Sequence, residues 1–288
     1  MPLIENLLCT VAGSGLTLAS QQAIRFFRER RNPSFQLARR FREAFLAHGI
    51  TRSEIPDLVP WDWSQDTVKD DSTLIKHLGR DQTDWVVETS GLRRQWLLNG
   101  ETEKYDPIWG YKEPARMIVQ LNELGMLNPY ANVTAFVDEK HLRRGRLIRD
   151  ANVLLVFSSP INQEVDDSPK KYVVCGDDWN WGHWPCRRDV KAIVRYMFRD
   201  HVASIPIVPV ESGVLSNLRE GKSFPQKLIP SHRGSLSRLE DYALTASESV
   251  IAKESEEANA VVQYFDEQLG NIGITRSKLI PSMVFAAT

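Results

Sequence analysis

The acidic pair Asp177-Asp178 directly follows an apolar, strand-like run, Tyr172–Cys175. Adjacent carboxylates at the C-terminal end of a strand can hold Mg2+ for phosphoester chemistry. The same Gly176-Asp177-Asp178 would equally make a plain turn, since Gly and Asp are good turn formers. Cys175, His183 and Cys186 lie within twelve residues. As zinc ligands they lack a tight Cys-x2–4-Cys pair, and His201 or Asp177 would have to be the fourth ligand. The alternative for Cys175 is a core residue at a strand end.

Cations gather in two places. Arg187, Lys191, Arg195 and Arg199 recur every four residues, a stripe that drifts about 40° per step on a helix. Val190, Ile193, Val194 and Met197 occupy the adjoining face, so the spacing predicts a cationic ridge directed outward. Lys140–Arg149 is the second block and includes Arg143 and Arg144. Such ridges bind phosphates, nucleotides or acidic partners, or simply form a solvated face whose stems cover apolar surface. Trp179, Trp181 and Trp184 precede the first block, as a stacking platform or as a hydrophobic corner. Ser158-Ser159-Pro160 ends another apolar run, Val153–Phe157, and either borders a pocket or marks a strand's exit.

These residues need elements to hold them. Asn32-Pro33-Ser34 opens a helix over Ser34–His48, with Phe35, Ala38, Phe41, Phe45 and Leu46 at helical spacing and Gly49 at its end. Thr51 and Glu54 form a capping box for a short helix that contains Pro56 and closes at Pro60. Helical patterning resumes from Asp71. Asp81 is the expected cap of a helix carrying Trp85 and Val86, Gly91 its break, and Leu92–Leu98 the last helix of the group. Beyond Pro107 a helix over 114–124 is followed by strand-like runs at Val133–Val137, Val153–Phe157, Tyr172–Cys175 and Ile205–Val210, with an amphipathic helix over Arg187–His201 before the last.

The segment Trp85-Val86-Val87-Glu88-Thr89-Ser90-Gly91-Leu92-Arg93-Arg94-Gln95-Trp96-Leu97-Leu98-Asn99-Gly100-Glu101 resembles the closing helices of Cro/cI-type phage repressor DNA-binding domains. Residues 37–59 are similar to the first two helices of that family, with Gly49-Ile50-Thr51 at the turn. A looser likeness links the stretch to an uncharacterised group of proteobacterial proteins. The resemblance spans 37–101. It implies a helix-turn-helix whose third helix enters the major groove and reads bases. The matching segment is 60–71, where Ser64, Gln65 and Thr67 are the base-reading types and Lys69 is the cation. Asp57, Asp62, Asp66, Asp70 and Asp71 crowd it, and carboxylates repel the phosphates that supply most non-specific affinity.

At 288 residues, with 42% hydrophobic and 25% charged, the chain suits one large domain or two ordinary ones. A net charge of −1 gives no global pull toward nucleic acid or anionic lipid. Three cysteines make no disulfide framework, which fits a reducing, cytoplasmic compartment. Residues 3–24 are apolar but diluted, with Arg25, Arg28, Arg30 and Arg31 behind them: a docked helix, or a marginal membrane anchor.

The expected fold class is α+β. The expected parts are an apolar helix at 1–31, a helix-turn-helix-like helical domain at 32–110, an α/β sensor or docking domain at 111–235, and a helical segment with a tail at 236–288. The expected function is regulatory and transcription-associated, with DNA, a protein partner or a second copy of the chain as partner. A non-DNA interaction protein, membrane-tethered through residues 3–24, is the first alternative. An Mg2+-dependent phosphoester enzyme using Asp177 and Asp178 is the second. No cofactor is legible.

Overall fold

In the computed structural model of the chain, the described residues are 32–128, 130–143, 146–147, 150–161, 169–200, 205–229, 260, 263–264 and 266–273; side chains of 143, 146–147 and 194–200 fall outside this set. The expectations for 1–31 and for most of 236–288 lie outside it too.

The first helix, α1 (Pro33–Ala47), starts where the residue types demand. The Asn32 side chain accepts from the Ser34 N–H at 3.0 Å, and Pro33 sits at the first helical position, where its missing N–H costs nothing. Ala38, Phe41, Ala44 and Phe45 are its buried stripe. At Thr51 the Glu54 carboxylate accepts from the backbone N–H at 2.6 Å, and the chain then enters α2 (Ile55–Leu58) with Pro56 in its first turn.

Two short helices follow, α3 (Gln65–Val68) and α4 (Asp71–Leu74), then α5 (Arg80–Ser90) and α6 (Arg94–Asn99). The cap of α5 is Gly79, not Asp81. The Gln82 side chain accepts from the Gly79 N–H at 2.9 Å, which leaves Asp81 in the first turn. Nor does α6 begin at Leu92: that residue forms an antiparallel bridge with Tyr105, and the helix starts two residues later. Arg40 of α1 donates to the Leu97 and Leu98 carbonyls at 2.7 and 2.6 Å, tying the two helices together at the C-terminus of α6, where a cation is favoured.

The second half contributes α7 (Pro114–Glu123), β1 (Asn132–Asp138), a small ribbon of β2 (Leu142–Arg143) and β3 (Arg146–Leu147), β4 (Asn152–Pro160), β5 (Lys170–Val174), β6 (Trp179–Asn180), α8 (Trp184–Asp200), β7 (Ile207–Val210) and α9 (Ser212–Arg219). The main sheet runs β5-β4-β1-β7, with β6 paired to β4. Among the described strands β1 and β7 pair in parallel and the other neighbours are antiparallel. The protein is therefore an α+β fold with a mixed sheet.

Both faces of that sheet are buried, which is why β4 reads as a continuous apolar run rather than as an alternation. Side chains alternate across a strand. Val133, Ala135 and Val137 of β1, with Val153, Leu155 and Phe157 of β4, pack with α7 and α8. Phe136, Leu154, Val156, Tyr172 and Val174 pack with Ala38, Phe41, Phe45, Val86 and Leu97 of the helical region. One apolar cluster thus crosses the boundary expected near residue 110. The described residues form three layers: the N-terminal helices, the sheet, and α7 with α8.

Candidate functional site

A cleft of about 520 Å3 opens at the sheet edge formed by β5, where all three layers meet. Trp85, Glu88 and Thr89 reach it from one face of α5, since positions three and four apart are neighbours on a helix. Leu58 and Pro60 come from the end of α2 and the turn after it. The opposite wall is Ser159, Pro160 and Ile161 from the end of β4, and Lys171 from β5. Ser159 and Lys171 are directly paired across the two strands, so their side chains share a face.

Each wall is fixed from behind. The Trp85 ring is stacked near Phe45 (centroids 6.4 Å apart) and takes Trp61 edge-on at 5.4 Å. The Lys171 ammonium donates to the Leu124 carbonyl at the end of α7, at 3.1 Å. Burial lowers its pKa, and the Glu88 carboxylate opposes that shift. Asn128 donates to the Ser159 hydroxyl at 2.7 Å and to the Gly125 carbonyl at 2.9 Å. A separate apolar recess of about 20 Å3 shares Leu58, Trp85, Thr89 and Ile161 with the cleft and is lined also by Phe45, Val86 and His48.

His48 belongs to a buried polar group joining the helices to the sheet. Its Nδ1 faces the Ala44 carbonyl, its Nε2 lies 3.4 Å from the Tyr105 hydroxyl, and its ring is 5.6 Å from that of Tyr172. Tyr172 in turn donates to Gln226. Burial pushes the His48 pKa down, against smaller upward pulls from the Ala44 and Ser90 backbone. The unfolded imidazole therefore takes up a proton first as pH falls below its usual value of about 6.5. The His48 contribution to stability is present above that pH and is lost as pH falls toward the folded pKa. Asp177 and Asp189 are pushed up mainly by burial, so they act in the opposite sense. Urea denaturation between pH 7 and 5 should show falling stability in the native protein and a shallower fall in His48→Gln. Equal slopes would contradict the assignment.

The metal, catalytic and anion-binding candidates of the sequence are not at this cleft; of its pocket candidates only the Ser159-Pro160 strand end is. Asp177 and Asp178 diverge. Asp177 is buried and accepts from the Gly110 N–H at 2.5 Å, whereas Asp178 pairs with Arg219 at 3.0 Å. Asp177 is a structural tie: with Asp189, which accepts from the Lys112 N–H at 3.1 Å, it pins the 110–112 turn onto α8. A paired-carboxylate Mg2+ site does not form in this arrangement. Among the described residues no three His, Cys, Asp or Glu side chains converge as metal ligands. The Cys175 thiol faces the Met117 sulfur at 3.5 Å, and His183 faces Cys186 at 3.3 Å.

On α8 the outward ridge expected from the spacing fails at Lys191. Lys191 is only 8% exposed, and Arg187 donates to the Trp181 carbonyl at 3.0 Å, which folds it back on its own helix start. The side chains of Arg195 and Arg199 lie outside the described residues, as do that of Arg143 and all of Arg144. Of the tryptophans, Trp179 is fully buried against Val153 and makes the hydrophobic corner, while Trp184 is exposed beneath Arg188, at 5.8 Å.

In the segment 60–71 the only complete helix is the four-residue α3. Ser64 caps it, Gln65 donates to the Ser53 carbonyl at 2.6 Å, and the Lys69 ammonium lies 3.4 Å from Asp66. Asp71 is paired with Arg42. No family model, no curated protein and no solved structure matches the chain. Among the described residues no helix is long and apolar enough to cross a membrane.

Proposed function

We propose that the chain is a cytoplasmic regulatory protein of repressor-like architecture that senses a small ligand in the cleft and reports it to a protein partner. The observation that carries this reading is the position of the cleft. Its walls come from the helical layer, the sheet edge and the end of α7, so an occupant touches all three layers. A ligand shifts an equilibrium only through different contacts in the two states, and a site at such a seam provides them. The size and mixed lining are those of small-molecule sites.

The same reading assigns the output to protein contact rather than DNA. Of the base-reading types, Gln65 is spent on a backbone carbonyl and Thr67 is buried with its hydroxyl accepting from the Ser64 N–H, and the segment's single cation sits beside Asp66. Titration with mixed-sequence duplex DNA at low salt should give no measurable binding. Binding that weakens steeply with salt would overturn this output and return the helical layer to phosphate contact.

A further inference from the structure

Two opposite charges face the cleft from different layers without meeting. Glu88 lies on α5 and is exposed; Lys171 lies on β5 and is half-buried. They influence one another electrostatically, yet no ion pair within 4 Å joins them among the described residues. The Lys171 ammonium has three donors and, among the described residues, uses one, on the Leu124 carbonyl.

The hydroxyls between them are similarly open. Ser159 is buried and accepts from Asn128, but donates to no described group. Thr89 makes no side-chain hydrogen bond among the described residues. A buried hydroxyl with an unspent donor costs free energy that a ligand atom would recover. The rest of the lining is apolar or aromatic: Trp85, Leu58, Pro60, Pro160 and Ile161.

We infer that the ligand is a small zwitterion with an apolar body, an α-amino acid or a comparable amino-carboxylate. Its carboxylate pairs with Lys171 and the nearby hydroxyls, its ammonium pairs with Glu88, and its side chain lies on Trp85. A simple anion would leave Glu88 repelling it, and a simple cation would meet Lys171. Only a molecule carrying both charges answers both walls. This inference rests on the cleft being the sensing site and adds the class of molecule it takes.

The test uses calorimetric titration of the full chain with L-phenylalanine, L-leucine, N-acetyl-L-phenylalanine, L-phenylalaninamide and the uncharged probe 1-naphthylmethanol. Phenylalanine or leucine should bind saturably. Masking the amine or the carboxylate should weaken binding about tenfold or more, the equivalent of about 1.4 kcal/mol. Lys171→Met should abolish the preference for phenylalanine over its amide, and Glu88→Gln the preference over the N-acetyl form. Both positions reach solvent, so neither change empties the core. Saturable binding that ignores both substitutions would overturn the inference. Binding of 1-naphthylmethanol, sensitive to Trp85→Ala, with none of either amino acid would also overturn it while leaving the cleft as the sensing site. Binding of no probe would remove both.

Discussion

Phe136→Ala is expected to destabilise the protein by about 3–5 kcal/mol, the usual range for emptying a fully buried phenylalanine site. Phe136 is fully buried on β1, on the sheet face that packs against the N-terminal helices. A cavity there removes contacts on both sides of the seam. Urea denaturation should give a lower midpoint with an unchanged slope, and the loss should reach the signals of both layers. A loss below 1 kcal/mol, or one confined to the sheet, would mean that the helices do not rest on Phe136.

Gly221→Ala is expected to cost about 2–5 kcal/mol, from two causes. Gly221 has a φ of +70°, where a Cβ costs about 1–2 kcal/mol. The added carbon would also overlap the Tyr105 carbonyl oxygen and lie 3.1 Å from its carbon. Forcing an atom into such a space typically costs a further 1–3 kcal/mol or so. The strand-like segment at 104–105 cannot easily retreat, because Lys104 and Tyr105 both donate to the Gly221 carbonyl, at 2.7 and 3.0 Å. Lys104 also donates to the Lys222 carbonyl at 2.6 Å. Gly213→Ala is the control: its Cβ would meet nothing within 4 Å, and α9 would gain a better helix former. Thermal denaturation of the pair should separate them clearly. Equal midpoints would contradict the tight approach at Gly221.

Much of the local structure was legible from particular residues. Asn32-Pro33 and the stripe from Ala38 to Phe45 located α1, and Thr51 with Glu54 located the entry to α2. Gly91 and Gly100 marked helix ends, and both adopt the left-handed conformation that glycine allows. The apolar runs located β1, β4 and β5. What covers the strands was not legible. The run Val153–Phe157 shows that both faces are buried, but not that α7 lies on one and α1 and α5 on the other.

The cleft was harder still to see. Its lining is drawn from 58–60, 85–89, 125, 159–161 and 171, so no spacing within a motif records it. Only the hydroxyls at the end of β4 hinted at it. The charged stripe on α8 misled for a related reason. Helical periodicity places Lys191 on a face but does not say whether another element covers that face, and Lys191 is buried. Asp177 and Asp178 looked like a pair because they are adjacent. Adjacency does not fix partners: Asp177 is buried on the Gly110 N–H, and exposed Asp178 pairs with Arg219.

The N-terminal helices and the sheet form one packed unit with the cleft at their seam. Native-state hydrogen exchange in increasing denaturant tests it most directly, by comparing the amides of α5 with those of β4. For one packed unit, both sets should merge into the same opening, with the same free energy and denaturant dependence. A helical layer that opens on its own, at markedly lower free energy while β4 stays protected, would contradict it.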